Sequence, residues 1–202
     1  MHPFVLGVSG ASAQPLAERA LQLLLCKGHS VHLIISRGAF KVFQAEQGIT
    51  IPVDPVQQEK FWRERLDVSD GQLICHRWND QSASIASGSF QTRAMLILPC
   101  SMGTVGRIAS GVATDLIERS ADVHLKERRP LVIAPREMPL NLIHLRNLTA
   151  LAEAGATIAP PMPAWYSQPE SLADMIDFIV VRLFDSLQED LTPLNRWNGP
   201  LK

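Results

Sequence analysis

The chain has 202 residues, of which 46% are hydrophobic and 19% are charged, and its formal net charge is −1. This length suits one domain with a sizeable core, and the composition excludes a disordered or fibrous chain. Near-zero net charge argues against broad electrostatic binding to nucleic acid or to an anionic membrane. No apolar stretch approaches the roughly 18 residues that span a bilayer, so no membrane-spanning helix is predicted.

The three cysteines, Cys26, Cys75 and Cys100, form neither a disulfide framework nor a zinc signature, because they are odd in number and widely spaced. They fit a reducing compartment, and no signal peptide is visible, so a cytoplasmic location is expected. Cys100 has apolar neighbours on one side and is predicted to be an inert buried thiol.

The first fifty residues predict alternating strands and helices. A short apolar run from Phe4 to Val8 is typical of a buried strand, and leucines at helical spacing follow it until Gly28. A second β-branched run covers 31–35, and a second helix is predicted over 39–46. This β-α-β-α order indicates a parallel sheet with helices on its faces.

Residues 50–92 have a less regular pattern. Prolines at positions 52 and 55 break the regularity, a short helix is predicted over 61–66, and a strand is predicted over 72–78. The stretch 80–92 is rich in Ser, Gly and Ala and is predicted to be a loop. Long loops in compact domains are often functional.

The second half of the chain returns to alternating strands and helices. Strands are predicted over 94–98, 130–135 and 157–159. Helices are predicted up to about residue 111, and over 115–127, 140–154 and 171–187. The last helix is expected to open with a capping box at Ser167-Gln168-Pro169-Glu170. The predicted fold is one doubly wound, Rossmann-like (flavodoxin-like) α/β domain over 1–190, followed by a tail over 191–202.

Two turns rich in Gly and Ser stand where ligands bind in such folds, at the carboxyl ends of strands. Gly7-Val8-Ser9-Gly10-Ala11-Ser12 suits either a phosphate or ring at a helix N-terminus, or a tight turn with Ser12 near the N-cap. Cys100-Ser101-Met102-Gly103-Thr104 suits either an anion cradle or a capped helix start. Neither turn is a Walker loop, and Ser36-Arg37 stands where an NAD site needs an acidic residue, although Arg37 leaves a cofactor with a 2′-phosphate open.

Basic residues form a third set. Arg128 and Arg129 close a helix, which is typical of a solvated face. Arg182 has apolar neighbours in the sequence, which indicates a charge retained for a ligand. Arg136-Glu137 follows a strand, at the edge of the sheet where site residues belong.

Segments along nearly the whole chain resemble the UbiX-type flavin prenyltransferases. The most specific are Lys126-Glu127-Arg128-Arg129-Pro130-Leu131-Val132 and Arg136-Glu137-Met138-Pro139, and the others are the two Gly/Ser turns, Ser87-Gly88-Ser89-Phe90 and Pro161-Met162-Pro163-Ala164-Trp165-Tyr166. The resemblance implies a metal-independent enzyme that joins a dimethylallyl group from dimethylallyl phosphate to N5 and C6 of reduced FMN. The prenylated FMN would serve a UbiD-type decarboxylase, most commonly in ubiquinone biosynthesis.

The resemblance also implies roles for individual positions. The positions that match FMN contacts are Gly10, Ala11, Ser12, Ser36, Ser101, Met102, Gly103, Thr104 and Arg136. The positions that match contacts to the prenyl phosphate and its pocket are Arg119, Lys126, Tyr166, Arg182 and Trp197. The positions that match catalytic groups are Ser12, Glu46, Lys126 and Glu137. Members form homo-oligomers, often dodecamers, in which the C-terminal aromatic residue helps close the pocket of an adjoining subunit.

Two positions depart from the family pattern. Ala13 replaces a second glycine that many members have, and the turn is expected to tolerate the added methyl group. Gln81 replaces a tryptophan that lines the prenyl site in some members, which leaves the shape of that pocket open.

Two other activities are weighed against the prenyltransferase. A flavin-dependent cysteine decarboxylase of the same fold would carry an asparagine that Pro161-Met162-Pro163 lacks. A carrier subunit that binds FMN without chemistry would not need Lys126 or Glu137. No Asp-Asp pair of the kind that binds magnesium in other prenyltransferases is present, so no metal is expected.

Overall fold

Strands and helices alternate along residues 2–191, the part of the chain that the computed structural model describes. The strands are β1 (Phe4–Val8), β2 (Ser30–Ile35), β3 (Gln72–His76), β4 (Ala94–Cys100), β5 (Leu131–Pro135) and β6 (Thr157–Ile158). The helices are α1 (Gln14–Cys26), α2 (Arg37–Gln47), α3 (Pro55–Leu66), α4 (Met102–Ala109), α5 (Leu116–Lys126), α6 (Leu142–Glu153) and α7 (Leu172–Asp185). A short 3₁₀ turn, Ser84–Ala86, lies in the loop between β3 and β4.

All six strands run parallel in one sheet with the order β3-β2-β1-β4-β5-β6. The chain builds outward from β1 to β3, then returns to β4 on the other side of β1 and builds outward to β6. This reversal leaves a crevice at the carboxyl ends of β1 and β4, where doubly wound folds bind ligands. The predicted doubly wound, Rossmann-like fold is confirmed.

The sheet is buried on both faces. Every residue of β1, β4 and β5 is buried, as expected for central parallel strands that helices cover on both sides. One core lies between the sheet and α1 and α7, around Leu24 and Phe184. The other lies under α4 and α5, around Val105 and Ile117. Among residues 2–191, no helix is long and apolar enough to cross a membrane.

Two helix starts differ from the prediction. Pro55 was expected to break the chain's regularity but is the first residue of α3, where its missing N–H costs no hydrogen bond. Asp54 caps this helix by accepting hydrogen bonds from the N–H groups of Val56 and Gln57, at 3.1 and 3.2 Å. The capping box predicted at 167–170 is wrong. Ser171 caps α7 and forms the box with Asp174.

The turn from β1 to α1 holds an alanine in a backbone conformation that favours glycine. Ala13 is the N-cap residue of α1, with φ 93° and ψ 34°. A residue with a Cβ atom pays about 1–2 kcal/mol to adopt the left-handed region. Ser12 is therefore not the N-cap, and the expectation that the methyl group is easily tolerated is wrong, because the turn survives only under backbone strain.

Replacing Ala13 with glycine should stabilise the protein. Relief of the left-handed strain exceeds the extra entropy of the unfolded chain, so we expect a net gain of about 0.5–1 kcal/mol, measured by thermal unfolding. Gly28→Ala is the matched reverse change, because Gly28 has φ 77° and open space around it, and it should destabilise by a similar amount. A melting temperature of Ala13→Gly at or below that of the wild type would contradict the strain.

Candidate active site

A buried serine joins the two Gly/Ser turns at the carboxyl edge of the sheet. Ser9 follows β1, and its hydroxyl donates to the carbonyl of Pro99 at 3.0 Å. The same hydroxyl accepts from the N–H of Ser101, which follows β4, at 2.7 Å. In the sequence, Ser9 stands out only as part of a Gly/Ser turn. Its full burial shows that it fixes the distance between the two turns.

Two helices begin at this edge with serine caps. Ser36 caps α2 and accepts from the N–H of Ala39 at 3.1 Å. Ser101 caps α4, accepts from the N–H of Thr104 at 3.3 Å, and lies 3.1 Å from the Thr104 hydroxyl. Of the two predicted turns, only the second is therefore a serine-capped helix start, since the first leads into α1, whose N-cap Ala13 makes no side-chain cap hydrogen bond. Helix starts leave N–H groups and a positive dipole end for an anion.

The first turn and α2 approach each other more closely than side chains allow. A Cβ atom on Gly10 would lie 3.0 Å from the Cα atom of Gly38. Glycines at both positions therefore let the two backbones meet. Arg136 follows β5 at the same edge, where its N–H donates to the carbonyl of Cys100 at 3.0 Å.

The structure thus brings all predicted FMN-binding residues to one edge of the sheet. These residues are Gly10, Ala11, Ser12, Ser36, Ser101, Met102, Gly103, Thr104 and Arg136. Their hydroxyls, helix N-termini and guanidinium group supply donors for a phosphate and for ring carbonyls, and the set contains no carboxylate. The donor set fits FMN. Among residues 2–191 no group of three or more His, Cys, Asp or Glu side chains is placed to hold a metal ion.

A buried ion pair that the sequence analysis missed supports the second turn. Glu118 is fully buried on α5 and pairs with Arg107 of α4. Arg107 also donates to the Thr104 hydroxyl at 3.4 Å, directly under the turn. The sequence does not reveal this ion pair, because an arginine in the last turn of a helix, as Arg107 is in α4, is ordinarily exposed to solvent.

Arg119 and Lys126 lie two turns apart on one face of α5, with Arg119 in its first turn and Lys126 at its last residue. Lys126 therefore lies at the edge of the sheet opposite the FMN edge. Arg119 donates to the carbonyl of Ala86 at 3.0 Å and pairs with Asp122 at 2.7 Å. Lys126 pairs with Glu127. The ammonium group of Lys126 rests against the loop before β4, where a Cβ atom on Gly88 would lie 2.6 Å from it.

Tyr166 and Arg182 both lie beside one face of α7. The Tyr166 ring packs edge-on against Phe178, with 5.5 Å between the ring centroids. Arg182 follows Phe178 by one helical turn and pairs with Asp185 at 2.8 Å. The Arg182 side chain is 59% exposed, so its apolar neighbours in the sequence do not reflect its surroundings in the fold. Its apolar sequence neighbours face the core, while Arg182 occupies the outer stripe of an amphipathic helix.

Within one chain Glu137 does not face Lys126. Lys126 ends α5 just before the amino end of β5, whereas Glu137 follows the carboxyl end of that strand. The five residues of β5 separate these edges by about 16 Å. Glu137 is exposed and accepts a hydrogen bond from the N–H of Met138 at 3.1 Å. One chain alone therefore does not bring these two groups together.

Glu46 and Trp197 are the two remaining predicted site residues. Glu46 is exposed in the last turn of α2. The helix begins at the FMN edge, so Glu46 stands about 14 Å along the axis from its start. Trp197 lies outside the described residues.

Cys100 is not a nucleophile. It is fully buried at the end of β4, and burial raises the pKa of its thiol far above the usual range. The prediction of an inert thiol is confirmed, because attack requires the thiolate.

Comparison with known proteins identifies close relatives. Residues 1–184 match a protein family described as Flavoprotein. The flavin prenyltransferase UbiX of Synechocystis sp. is 52% identical over 201 residues, covering 99% of this chain and 98% of that protein. A crystal structure of a UbiX protein in complex with FMN and dimethylallyl pyrophosphate has a TM-score of 0.87, 37% identity and 99% coverage of both chains.

Two further structures are similar to different degrees. A dodecameric FMN-dependent UbiX-like decarboxylase from Escherichia coli has a TM-score of 0.84 and 36% identity, covering 98% of this chain and 100% of that one. The FMN-dependent cysteine decarboxylase SpaF has a TM-score of 0.58 and 18% identity, covering 92% of this chain and 97% of that one. The second likeness extends to the fold alone.

A buried histidine on α5 should make stability depend on pH. His124 is fully buried, and this burial lowers its pKa from 6.5 to about 4. Between pH 6.5 and about pH 4, His124 is therefore protonated in the unfolded chain but neutral in the folded chain. Stability should fall through that window, by up to about 3 kcal/mol for this group. Thermal unfolding from pH 7 to 4.5 should show a shallower decline for His124→Gln, and an equally steep decline would contradict this.

Proposed function

The chain belongs to the UbiX family of flavin prenyltransferases, and we propose that it transfers a dimethylallyl group from dimethylallyl phosphate to reduced FMN. The observation that carries the proposal is the presence of two distinct sets of groups. One is the donor-rich FMN edge, and the other is a set of cations suited to a phosphate leaving group, the half-buried Arg119 and the exposed Lys126 and Arg182. The relative solved with both FMN and dimethylallyl pyrophosphate supports this assignment.

The FMN edge would hold the flavin through its helix N-termini and hydroxyls. The N–H groups at the starts of α2 and α4 favour the negative charge of a phosphate. Ser36 and Ser101 cap these helices and hold their first turns in place. Arg136, exposed after β5, adds a cation with several donors to the same edge. Reduced FMN supplies, when bound, the nucleophilic N5 and the adjoining C6 that the dimethylallyl group joins.

The cations would neutralise the phosphate as it leaves. Each of them pairs with a nearby carboxylate, namely Asp122 for Arg119, Glu127 for Lys126 and Asp185 for Arg182. A phosphate can replace these partners, because guanidinium and ammonium groups form strong charge-assisted hydrogen bonds to it. Charge on the leaving oxygen grows in the transition state, so these contacts lower the barrier to transfer. The Tyr166 hydroxyl is assigned a hydrogen bond to the same phosphate.

Bond formation at N5 would release one proton, which can go to the phosphate. Ring closure would release the proton of C6 and add one proton to the former double bond of the dimethylallyl unit, and Ser12 and Glu46 are assigned as acceptors of the C6 proton. Glu137 is assigned to carry a proton to the departing phosphate. Ser12 belongs to the FMN edge of its own chain, whereas Glu46 lies far along α2. Glu46 would therefore reach the reacting atoms from another copy.

We further propose that the complete site forms between copies of the chain. Lys126 and Glu137 lie at opposite edges of the sheet, so they meet only across an interface. Large apolar side chains are exposed beside Glu137 and Tyr166, which suits burial against another copy. They are Met138, Leu142, Ile143, Met162, Trp165 and Leu172. The dodecameric UbiX-like relative from Escherichia coli supports a homo-oligomer. Trp197 lies outside the described residues, and the family resemblance assigns it to the pocket of a neighbouring copy.

The product would leave for another enzyme. Prenylated FMN is itself a cofactor, so we assign this chain a place before a UbiD-type decarboxylase in the cytoplasm, as in ubiquinone biosynthesis. A cysteine decarboxylase is not favoured, because that likeness covers the fold alone and Pro161-Met162-Pro163 lacks the asparagine of that class.

Mixed oligomers test whether two chains share each site. Lys126→Ala and Glu137→Gln should each lower the single-turnover rate of prenyl transfer at least about 10²-fold, because each removes a charged group from the reaction. When the two variants are co-expressed and purified together, random assembly leaves about a quarter of the sites with both wild-type residues. Activity should therefore return to that fraction of the wild-type level.

The matched control pairs Lys126→Ala with Arg119→Ala. Both residues lie on the same face of α5, so if they serve one site from one chain, this mixture contains no site in which both are intact and should stay inactive. Failure of the first mixture to recover activity, with both proteins folded, would contradict a shared site.

A further inference from the structure

Arg129 ties the end of α5 to the loop before β4. Its guanidinium group donates to the carbonyl of Phe90 at 2.7 Å and to the carbonyl of Gly88. It also reaches the Thr92 hydroxyl at 3.4 Å. Arg129 is half-buried, so the expectation that it belongs to a solvated face is wrong, whereas the neighbouring Arg128 is exposed. A planar fork of donors therefore fixes the backbone of this loop at two carbonyl groups.

The buried histidine behind the loop fixes the direction of these hydrogen bonds. The Nδ1 atom of His124 lies 2.7 Å from the Ser120 carbonyl, which can only accept, so Nδ1 carries the proton. The Nε2 atom must then accept from the Thr92 hydroxyl, at 2.9 Å. The lone pairs of the Thr92 hydroxyl oxygen can then accept a hydrogen bond from the Arg129 guanidinium group. A continuous chain of donors therefore runs from Arg129 through Thr92 and His124 into α5.

The loop is held on its other side by an aromatic contact. The ring of Phe90 packs against His32 of β2, with 5.3 Å between the centroids. Between these anchors lies Gly88, whose missing side chain leaves the space that the Lys126 ammonium and the Glu127 carboxylate occupy. The position of this loop therefore limits where the ammonium group can lie.

We propose that Arg129 is a positioning residue for the binding of prenyl phosphate. By holding the carbonyls of Gly88 and Phe90, it fixes the loop against which Lys126 rests, and so fixes the ammonium group that meets the phosphate. This inference rests on the proposed function for the identity of the ligand. A lysine at position 129 keeps the charge but cannot replace the fork, because an ammonium group is a point donor.

The test compares Arg129→Lys with Arg128→Lys, a matched control at an exposed neighbour. Calorimetry on the FMN-loaded protein measures the Kd of dimethylallyl phosphate, and hydrogen exchange measures the amides of residues 86–92. Arg129→Lys should weaken dimethylallyl phosphate at least about tenfold. It should also speed exchange in the loop and leave FMN affinity unchanged. Arg128→Lys should match the wild type in all three.

A second variant reaches the same ammonium group without changing the arginine. Gly88→Ala places a methyl group 2.6 Å from the present position of the Lys126 Nζ atom. Since the atoms in its way are the ends of flexible side chains, the protein should fold with nearly native stability and bind dimethylallyl phosphate more weakly. Wild-type affinity in Gly88→Ala would overturn the link between the loop and Lys126.

The remaining outcomes separate this inference from the proposed function. Unchanged loop exchange in Arg129→Lys, or faster exchange with unchanged dimethylallyl phosphate affinity, would overturn the positioning role. Tight binding of dimethylallyl phosphate by a wild-type protein that never prenylates FMN would overturn the proposed reaction. The role of Arg129 in binding would still be decided by the two physical measurements.

Discussion

The parallel direction of all six strands determines where each functional group of this chain can lie. In a parallel sheet every connecting helix runs back against the strands, so helix N-termini gather at the carboxyl edge and helix C-termini at the other. Helix dipoles make the first edge electropositive, and it holds the serine caps of α2 and α4. The second edge receives the end of α5, which brings Lys126 and Arg129. A flavin edge and a separate cationic surface therefore follow from one topological constraint.

Short contacts between small residues hold the backbone of the FMN edge in place. Gly10 and Gly38 meet backbone to backbone, and the buried Ser9 hydroxyl links the ends of β1 and β4. The turn that follows Gly10 also holds Ala13 in the left-handed region of the backbone. These contacts within the protein stabilise the geometry of the edge.

The fold and the flavin edge were predictable from the sequence because local patterns determine both. Buried parallel strands must be short apolar runs, and a close approach at a strand end requires Gly and Ser, so the turns after β1 and β4 stand out. Ser9 was recognised only as part of such a turn, since its two long-range hydrogen bonds depend on how β1 and β4 pair.

The cationic half of the site was less predictable, because the positions of its side chains depend on how distant segments of the chain pack and not on their spacing in the sequence. Glu137 and Lys126 are close in sequence, yet β5 places them at opposite edges of the sheet. The environment of Arg182 was misjudged because apolar neighbours along a helix face a different side of it. Arg129 looked like an ordinary charge at a helix end, since nothing local shows that loop carbonyls will lie within its reach.

The most informative single measurement is one turnover of the purified chain with reduced FMN and dimethylallyl phosphate in the presence of EDTA, followed by mass spectrometry of the flavin. If the chain is a metal-independent flavin prenyltransferase, the flavin gains the mass of one dimethylallyl unit and one phosphate is released for each flavin modified. Recovery of unmodified FMN from a folded, flavin-loaded protein, or modification that disappears when EDTA is added, would contradict that conclusion.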